Sequence, residues 1–278
     1  MSEKTPRDIL TVGPDELVRA SGVPLEIVGD DGALSDRFAD EMAGEIQHNN
    51  RLGSPTSLIL PVGPRGGYPI FVDRVGEKSI DLSRTTFFFM DEYVDEGGRY
   101  IPKDHPLSFR GFVRANLLDP LSGHPGFDPA RVRFPDPEDP VRYGRLMQEA
   151  GGIDLALAGV GIDGHVAFNE PEPALSAQEF SQLTTRIVSL TPETRTVNAA
   201  MEAGGAIDLI PRRAVTVGMA EILSARRVVV FMNRGWQKAV VRRFLFGEVS
   251  AEFPVSVLKR HADLSAVITE EVSGLPLA

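Results

Sequence analysis

Short apolar stretches, each bounded by glycine or proline, alternate with helical patterns along the 278-residue chain. The stretches are rich in β-branched and aromatic residues, and several are continuously apolar, as strands buried on both faces of a sheet are. They begin near residues 24, 57, 85, 153, 226 and 264, and helical patterns begin near residues 34, 108, 140 and 235. This alternation predicts an α/β fold with a doubly wound, mostly parallel sheet flanked by helices.

The length of the chain suits one large α/β domain. We therefore predict a single domain over residues 1–278, in which residues 1–23 form an N-terminal extension. Proline and turn residues interrupt any regular period in segment 121–140. This segment is interpreted as a structured connection between lobes or a lid, with a domain linker as the alternative.

Composition narrows the class of protein. The formal net charge of −10 disfavours a large nucleic-acid footprint, and no apolar run is long enough to span a bilayer. The chain begins without the apolar region of a secretory signal, and it contains no cysteine, which excludes disulfides and cysteine-ligated zinc. We expect a cytoplasmic protein that binds neither nucleic acid nor membrane.

Sites in parallel sheets lie beyond the carboxyl ends of the strands, so the residues that follow each apolar stretch are candidates. The stretch at 57 ends in Gly63, Gly66 and Gly67, whose backbone N–H groups could surround an anion. Arg65 adds a cation suited to phosphate or carboxylate. A simple tight turn is the alternative.

Two carboxylates, Asp91 and Glu92, directly follow the stretch at 85. Partial desolvation at a strand end raises the pKa of a carboxyl group towards values useful for proton abstraction. The alternative is a helix N-cap or a solvated acidic turn. The position favours Asp91 as a catalytic base.

A glycine-rich segment, 159–171, follows the stretch at 153 and contains Asp163, His165 and Glu170. A carboxylate beside an imidazole can orient and charge it, as a proton shuttle requires. A metal site made by these three residues and a buried structural histidine are the alternatives. No metal-ligand spacing supports the former, so no metal is predicted.

The last candidate is Lys238, in the first turn of the helix that follows the stretch at 226. Helix N-termini attract anions, and a lysine there adds a full positive charge. Lys238 is therefore a candidate anion ligand, with a solvated surface lysine as the alternative.

These segments together resemble the glucosamine-6-phosphate deaminase/isomerase family, whose relatives include 6-phosphogluconolactonases. The matching motifs occur in the family's order and cover most of the chain from about residue 24. The Asn169-Glu170 pair after His165 is similar to the deaminases, since the lactonases have a different sequence there. The matching segments are 90–94, 102–106, 159–171, 214–218 and 235–239.

The resemblance implies a Rossmann-like fold of the sugar-phosphate isomerase type and an amino-sugar-phosphate deaminase activity without cofactor or metal. In such an enzyme His165, held by Asp163 and Glu170, assists opening of the sugar ring, and Asp91 removes the C2 proton. The substrate would be a glucosamine 6-phosphate-like sugar phosphate, and Gly63, Arg65, Gly66, Gly67 and Lys238 are the candidate phosphate ligands. A homo-oligomer is consistent with the family.

The phosphate loop departs from the family pattern. Val62 and Tyr68 stand where the family usually has serine or threonine, and the loop between them is longer than in the family. Ala200 lies near the position of a family arginine. Arg65 could replace that arginine, or the substrate could carry its charge elsewhere. Two other functions stay open: a lactone hydrolase and a non-catalytic sugar-phosphate-sensing module.

Overall fold

The computed structural model describes residues 6–277 and contains two sheets. The strands, in chain order, are β1 (Leu25–Val28), β2 (Thr56–Leu60), β3 (Thr85–Phe89), β4 (Asp91–Val94), β5 (Val132–Arg133), β6 (Leu155–Gly159), β7 (Arg186–Ser189), β8 (Arg213–Thr216), β9 (Arg227–Met232) and β10 (Leu264–Thr269). Seven of them form a parallel sheet in the order β1-β10-β9-β6-β2-β3-β5. The predicted parallel α/β sheet is confirmed.

Helices cover both faces of this sheet. They are α1 (Pro6–Leu10), α2 (Pro14–Ala20), α3 (Asp31–Arg51), α4 (Gly67–Glu77), α5 (Phe109–Val113), α6 (Asp119–Leu121), α7 (Arg142–Glu149), α8 (Ala177–Ser181), α9 (Pro192–Glu202), α10 (Met219–Leu223), α11 (Lys238–Phe246) and α12 (Glu270–Ser273). No helix within residues 6–277 is long and apolar enough to cross a membrane.

Alternate residues of the central strands enter two separate hydrophobic cores, because successive side chains of a strand point to opposite faces. In β2, for example, Leu58 packs in the core under α3 and α4, whereas Ile59 packs in the core under α7, α10 and α11. A sheet buried on both faces requires apolar residues at every position, which explains the uninterrupted apolar stretches.

A second sheet of three antiparallel strands, β4-β8-β7, was not anticipated from the sequence. Only Met90 separates β3 from β4, so the chain leaves the parallel sheet and immediately joins the antiparallel one. The backbone of Met90 connects both, since its N–H donates to Leu60 O (2.9 Å) and its carbonyl accepts from Val217 N (2.7 Å). This change of sheet places Asp91 at the junction.

Segment 121–140 contributes β5 to the edge of the parallel sheet beside β3. The lid or connection between lobes expected for this segment stays a prediction. At the other end of the chain, the fully buried Arg242 of α11 donates 2.8 Å hydrogen bonds to Val12 O and Ser273 O, and so ties the N-terminal extension to α12. The single-domain assignment stays a prediction, and residues 1–5 of the extension lie outside the described residues.

Helix α4 begins in close contact with α3. A Cβ atom on Gly67 would lie 2.5 Å from the ring of Phe38, whereas one on Gly76, in the same helix, would meet no atom within 4 Å. Glycine at position 67 is therefore required by packing.

We predict that Gly67→Ala lowers the free energy of unfolding by about 1–3 kcal/mol, because the added methyl group overpacks the contact between α3 and α4. Gly76→Ala is the matched control and should raise that free energy by about 0.5–1 kcal/mol through helix propensity. Urea denaturation measures both, and a Gly67→Ala protein as stable as the wild type contradicts the packing argument.

Candidate active site

A cavity of about 220 Å³ opens at the carboxyl edge of the parallel sheet. Its walls are formed by the segments that follow β2, β6 and β9, by β4 and by α9. These three parallel strands are adjacent in the sheet, and β4 follows directly from β3 beside them. Their carboxyl ends therefore converge, as expected for the site of a doubly wound sheet.

Asp91 lines the cavity from the first position of β4 and is only 7% exposed. Burial, together with the negative charge of Glu92, raises the pKa of Asp91 to about 7, although the positive charge of His165 opposes this shift. Within residues 6–277 no hydrogen bond to the Asp91 carboxylate is found. A carboxylate with this pKa is well suited to accept a proton near neutral pH.

The neighbouring Glu92 has a different role. Its fully buried carboxylate accepts hydrogen bonds from Ser108 Oγ (2.8 Å), from the backbone N–H of Arg110 (2.8 Å) and from Arg110 Nε (3.3 Å). These bonds hold the start of α5 against β4. Glu92 thus stabilises the wall of the cavity, while Asp91 faces the interior.

Asp163, His165 and Glu170 form the triad, which lies in the turn after β6. His165 Nδ1 is 2.7 Å from Asp163 Oδ1 and 3.5 Å from Glu170 Oε2. Burial disfavours a charged imidazole, but hydrogen bonding to the two carboxylates outweighs it and raises the pKa of His165 to about 10. The triad therefore holds a positive charge on the imidazole at neutral pH.

The two carboxylates of the triad shift in opposite directions. Burial acts to raise the pKa of Asp163, but its hydrogen bond and attraction to His165 prevail and hold that pKa well below the usual range. For Glu170, burial dominates and raises the pKa despite the nearby imidazole. Asp163 is therefore the principal counter-ion of His165.

The absence of a side chain at Gly161 leaves room for the imidazole ring of His165. A Cβ atom there would lie 2.0 Å from His165 Cε1, so any side chain at this position would displace the ring. The backbone N–H of Gly161 donates to His165 O (2.9 Å) and closes the turn. Only His165 of the triad lines the cavity; Asp163 and Glu170 lie behind it.

Two threonines at the start of α9 complete the triad and were missed by the sequence analysis. Thr191 Oγ1 lies 3.1 Å from Asp163 Oδ2, and Thr194 Oγ1 lies 3.0 Å from Glu170 Oε2. The available signal was the helix start, because a threonine N-cap followed by Pro192 predicts the beginning of a helix.

The triad also offers three possible metal ligands, one from each residue, within 4.8 Å of one another. However, His165 Nδ1 is already bonded to Asp163. A metal ion at this atom would have to replace that bond. The absence of a metal from the working site stays a prediction.

The loop after β2 divides into two parts. Gly63 and Arg65 line the cavity, and Arg65 Nη1 donates to Glu202 Oε2 at 2.8 Å. Gly66 and Gly67 are not among the lining residues, because they begin α4 and pack against α3. The structure therefore brings one glycine and the arginine of this group to the cavity.

Lys238 is also absent from the lining residues, and its ammonium group lies beside Gly274 at the end of α12. Arg234, four residues earlier, does line the cavity. It is exposed, and within residues 6–277 no ion pair to it is found. The sequence analysis missed Arg234, although this arginine lies in the segment between β9 and α11, just before Lys238.

We predict that His165 titrates at about pH 10 in heteronuclear NMR of the imidazole. Asp163→Asn removes the main counter-ion and should lower this pKa by about 1–3 units. Asp73→Asn, on the exposed side of α4, is the control and should leave it unchanged. A neutral His165 imidazole at pH 7 in the wild-type protein contradicts the charge assignment.

Comparison with known proteins identifies relatives along most of the chain. The glucosamine-6-phosphate deaminase of Rhodopirellula baltica is 33% identical over 262 residues, which are 91% of this chain and 96% of that protein. The glucosamine-6-phosphate deaminase of Rhodococcus opacus is 34% identical over 228 residues, covering 79% of this chain and 82% of that protein.

Among solved structures, a monomeric glucosamine-6-phosphate deaminase superposes with a TM-score of 0.77 at 26% identity, covering 90% of this chain and 98% of that one. The 6-phosphogluconolactonase of Thermotoga maritima has a TM-score of 0.64 at 16% identity over 88% of this chain and 98% of that one, which shows the shared fold. The family model of glucosamine-6-phosphate isomerases/6-phosphogluconolactonase matches residues 30–267. The chain therefore belongs to the glucosamine-6-phosphate isomerase/6-phosphogluconolactonase family.

Proposed function

We propose that this protein is an amino-sugar-phosphate deaminase that converts a 2-amino-2-deoxy aldose 6-phosphate, such as glucosamine 6-phosphate, to a ketose phosphate and ammonia. The observation that carries the proposal is the presence in one cavity of a carboxylate with a pKa of about 7 and a separate, charged imidazole. The reaction needs a base for a carbon acid and a proton donor for the ring oxygen. Asp91 and His165 supply these two groups.

Ring opening is the first step. The imidazolium of His165 gives a proton to the ring oxygen while a water molecule takes the proton of the C1 hydroxyl, so the bond between C1 and the ring oxygen breaks and the pyranose opens to the aldehyde. Asp163 and Glu170 position the imidazole and stabilise its positive charge. They act through His165, since they lie behind it.

Proton transfer on carbon is the second step. Asp91 removes the C2 proton, and the electron pair forms the C1–C2 double bond of an enolamine. Return of a proton to C1 leaves an imine at C2, which water hydrolyses to the ketone with release of ammonia. Every proton in this sequence passes between the substrate, water and the two groups, so neither an organic cofactor nor a metal ion is required.

The phosphate end of the substrate is assigned to the loop after β2, where Gly63 and Arg65 line the cavity. Gly66 and Gly67 support this loop through their packing on α3. Lys238 is not among the lining residues, and its part in phosphate binding stays a prediction. The cytoplasmic location and the homo-oligomeric state inferred from the sequence stay predictions.

We predict that Asp91→Asn reduces ammonia release from glucosamine 6-phosphate by at least about 10²-fold, because the amide cannot accept the C2 proton. Circular dichroism and urea denaturation should show an intact fold. Asp73→Asn, which lies outside the cavity, is the matched control and should keep the wild-type rate.

Deamination at an undiminished rate by Asp91→Asn rules out the assigned base. Hydrolysis of a sugar-phosphate lactone by the wild-type protein, with no ammonia from any amino sugar phosphate, indicates the lactonase reaction instead. Binding of sugar phosphates without turnover of any of them indicates a sensing module.

The pH dependence of kcat/KM gives an independent test, because this parameter reports groups of the free enzyme and free substrate. Asp91 must be deprotonated, so activity should rise as the pH increases through about 7. His165 must be protonated, so activity should fall as the pH approaches about 10. The amino group of the substrate also titrates, and Asp163→Asn separates its titration from that of His165. If His165 causes the alkaline limb, the substitution should shift that limb to lower pH. An unmoved limb excludes His165 as its origin.

A further inference from the structure

One carboxylate in the cavity has no part in the proposed reaction. Glu202, the last residue of α9, lines the cavity and accepts the 2.8 Å hydrogen bond from Arg65 Nη1. The side chains of Arg65 and Glu202 are 40% and 30% exposed, so the pair stands at the edge of the cavity rather than in the core. The guanidinium group also lies over the ring of Phe112, 5.2 Å from its centroid.

The position of Glu202 in its helix makes its negative charge dependent on Arg65 for stabilisation. The C-terminal end of a helix carries a partial negative charge, which disfavours a carboxylate in the last turn. The last turn of α9 contains no basic residue. Arg65 therefore supplies the positive charge that Glu202 needs when the cavity holds no anion.

We propose that Glu202 pairs with Arg65 in place of the anionic group of the ligand until that group binds. A phosphate group that enters the cavity takes over Arg65, and the Glu202 side chain turns towards solvent. This inference rests on the proposed function, since it assumes a phosphorylated ligand. It assigns to Glu202 a role in affinity: Glu202 competes with the phosphate for Arg65 and so weakens binding of a phosphorylated ligand, whereas an unphosphorylated sugar leaves the Arg65–Glu202 pair in place.

The exchange is energetically accessible. Ion pairs between partly exposed side chains change an equilibrium constant by up to about fivefold. A phosphate dianion attracts a guanidinium group more strongly than a carboxylate does, because it carries more charge. Arg65 donates to Glu202 through Nη1 alone, whereas a phosphate can accept two parallel hydrogen bonds from it. The ligand can therefore displace Glu202 at a small cost in affinity.

A helix connects this exchange to the triad. Thr191 and Thr194, at the start of α9, contact Asp163 and Glu170, while Glu202 ends the same helix. Both ends of α9 thus contribute to one cavity.

The binding test uses Trp236, the single tryptophan of the chain, which lines the cavity. Its fluorescence is titrated in the Asp91→Asn background, in which we expect turnover to be at least about 10²-fold slower, with inorganic phosphate, glucosamine 6-phosphate and glucosamine. Titration calorimetry on the same samples covers a ligand that leaves the fluorescence unchanged. The variants are Glu202→Gln, Arg65→Gln and both together, and Glu193→Gln, exposed in the first turn of α9, is the matched control.

Glu202→Gln should tighten binding of both phosphate ligands by about two- to fivefold and leave glucosamine unchanged, since it removes the competitor of the phosphate. Arg65→Gln should weaken binding of the phosphate ligands, and in that background Glu202→Gln should have little further effect. Glu193→Gln should behave as the parent.

Unchanged or weaker phosphate binding by Glu202→Gln overturns the proposal. Equal tightening of phosphate binding by Glu202→Gln with and without Arg65 also overturns it, because this result would reveal a general repulsion between Glu202 and the phosphate. The absence of phosphate binding by every variant overturns it as well. Failure of the deaminase activity is seen separately, in the ammonia assay of the wild-type protein. The binding result therefore stands or falls independently of turnover.

Discussion

The parallel hydrogen-bonded order β9-β6-β2-β3 is the constraint on which the site depends. Parallel strands place all their carboxyl ends at one edge, so the segments after these four strands must meet there. The loop with Arg65, the carboxylate Asp91, the triad turn and Arg234 each follow one of them. The cavity is therefore a consequence of strand order, and its chemistry depends on the few residues after each strand.

Burial acts differently on the acid and base groups of the cavity. Asp91 has no hydrogen bond to its carboxylate within residues 6–277, so burial raises its pKa to about 7 and makes it a competent base. His165 is also buried, but two carboxylates and two threonines surround it, and it keeps its proton. Burial thus favours the neutral form of Asp91 but does not neutralise His165, because only His165 has carboxylate partners that stabilise its charge.

Periodicity was sufficient to predict the parallel sheet, since strands buried on both faces are recognisable as apolar runs. It also indicated Asp91, directly after such a run, and His165, in the glycine-rich turn that follows β6. The second sheet was missed: β8 pairs with β4 across 119 to 125 residues of sequence, and β7 pairs with β8, and such long-range pairing leaves no local pattern. Glu202 was missed for the same reason, since it lies 137 residues from Arg65. The position of Lys238 beside Gly274 depends on packing of α11 against α12, which a helix start does not specify.

The first strand of the chain, β1, has the last strand, β10, as its partner in the parallel sheet, and the extension before it is held by Arg242 and, through it, by Ser273. During synthesis the N-terminal residues emerge first, whereas the strand that pairs with β1 lies 241 residues further along the chain. Residues up to Val28 therefore have no native strand partner until nearly the whole chain has left the ribosome. Completion of the sheet is a late event in the folding of this protein, because its closing contacts span almost the full length of the chain.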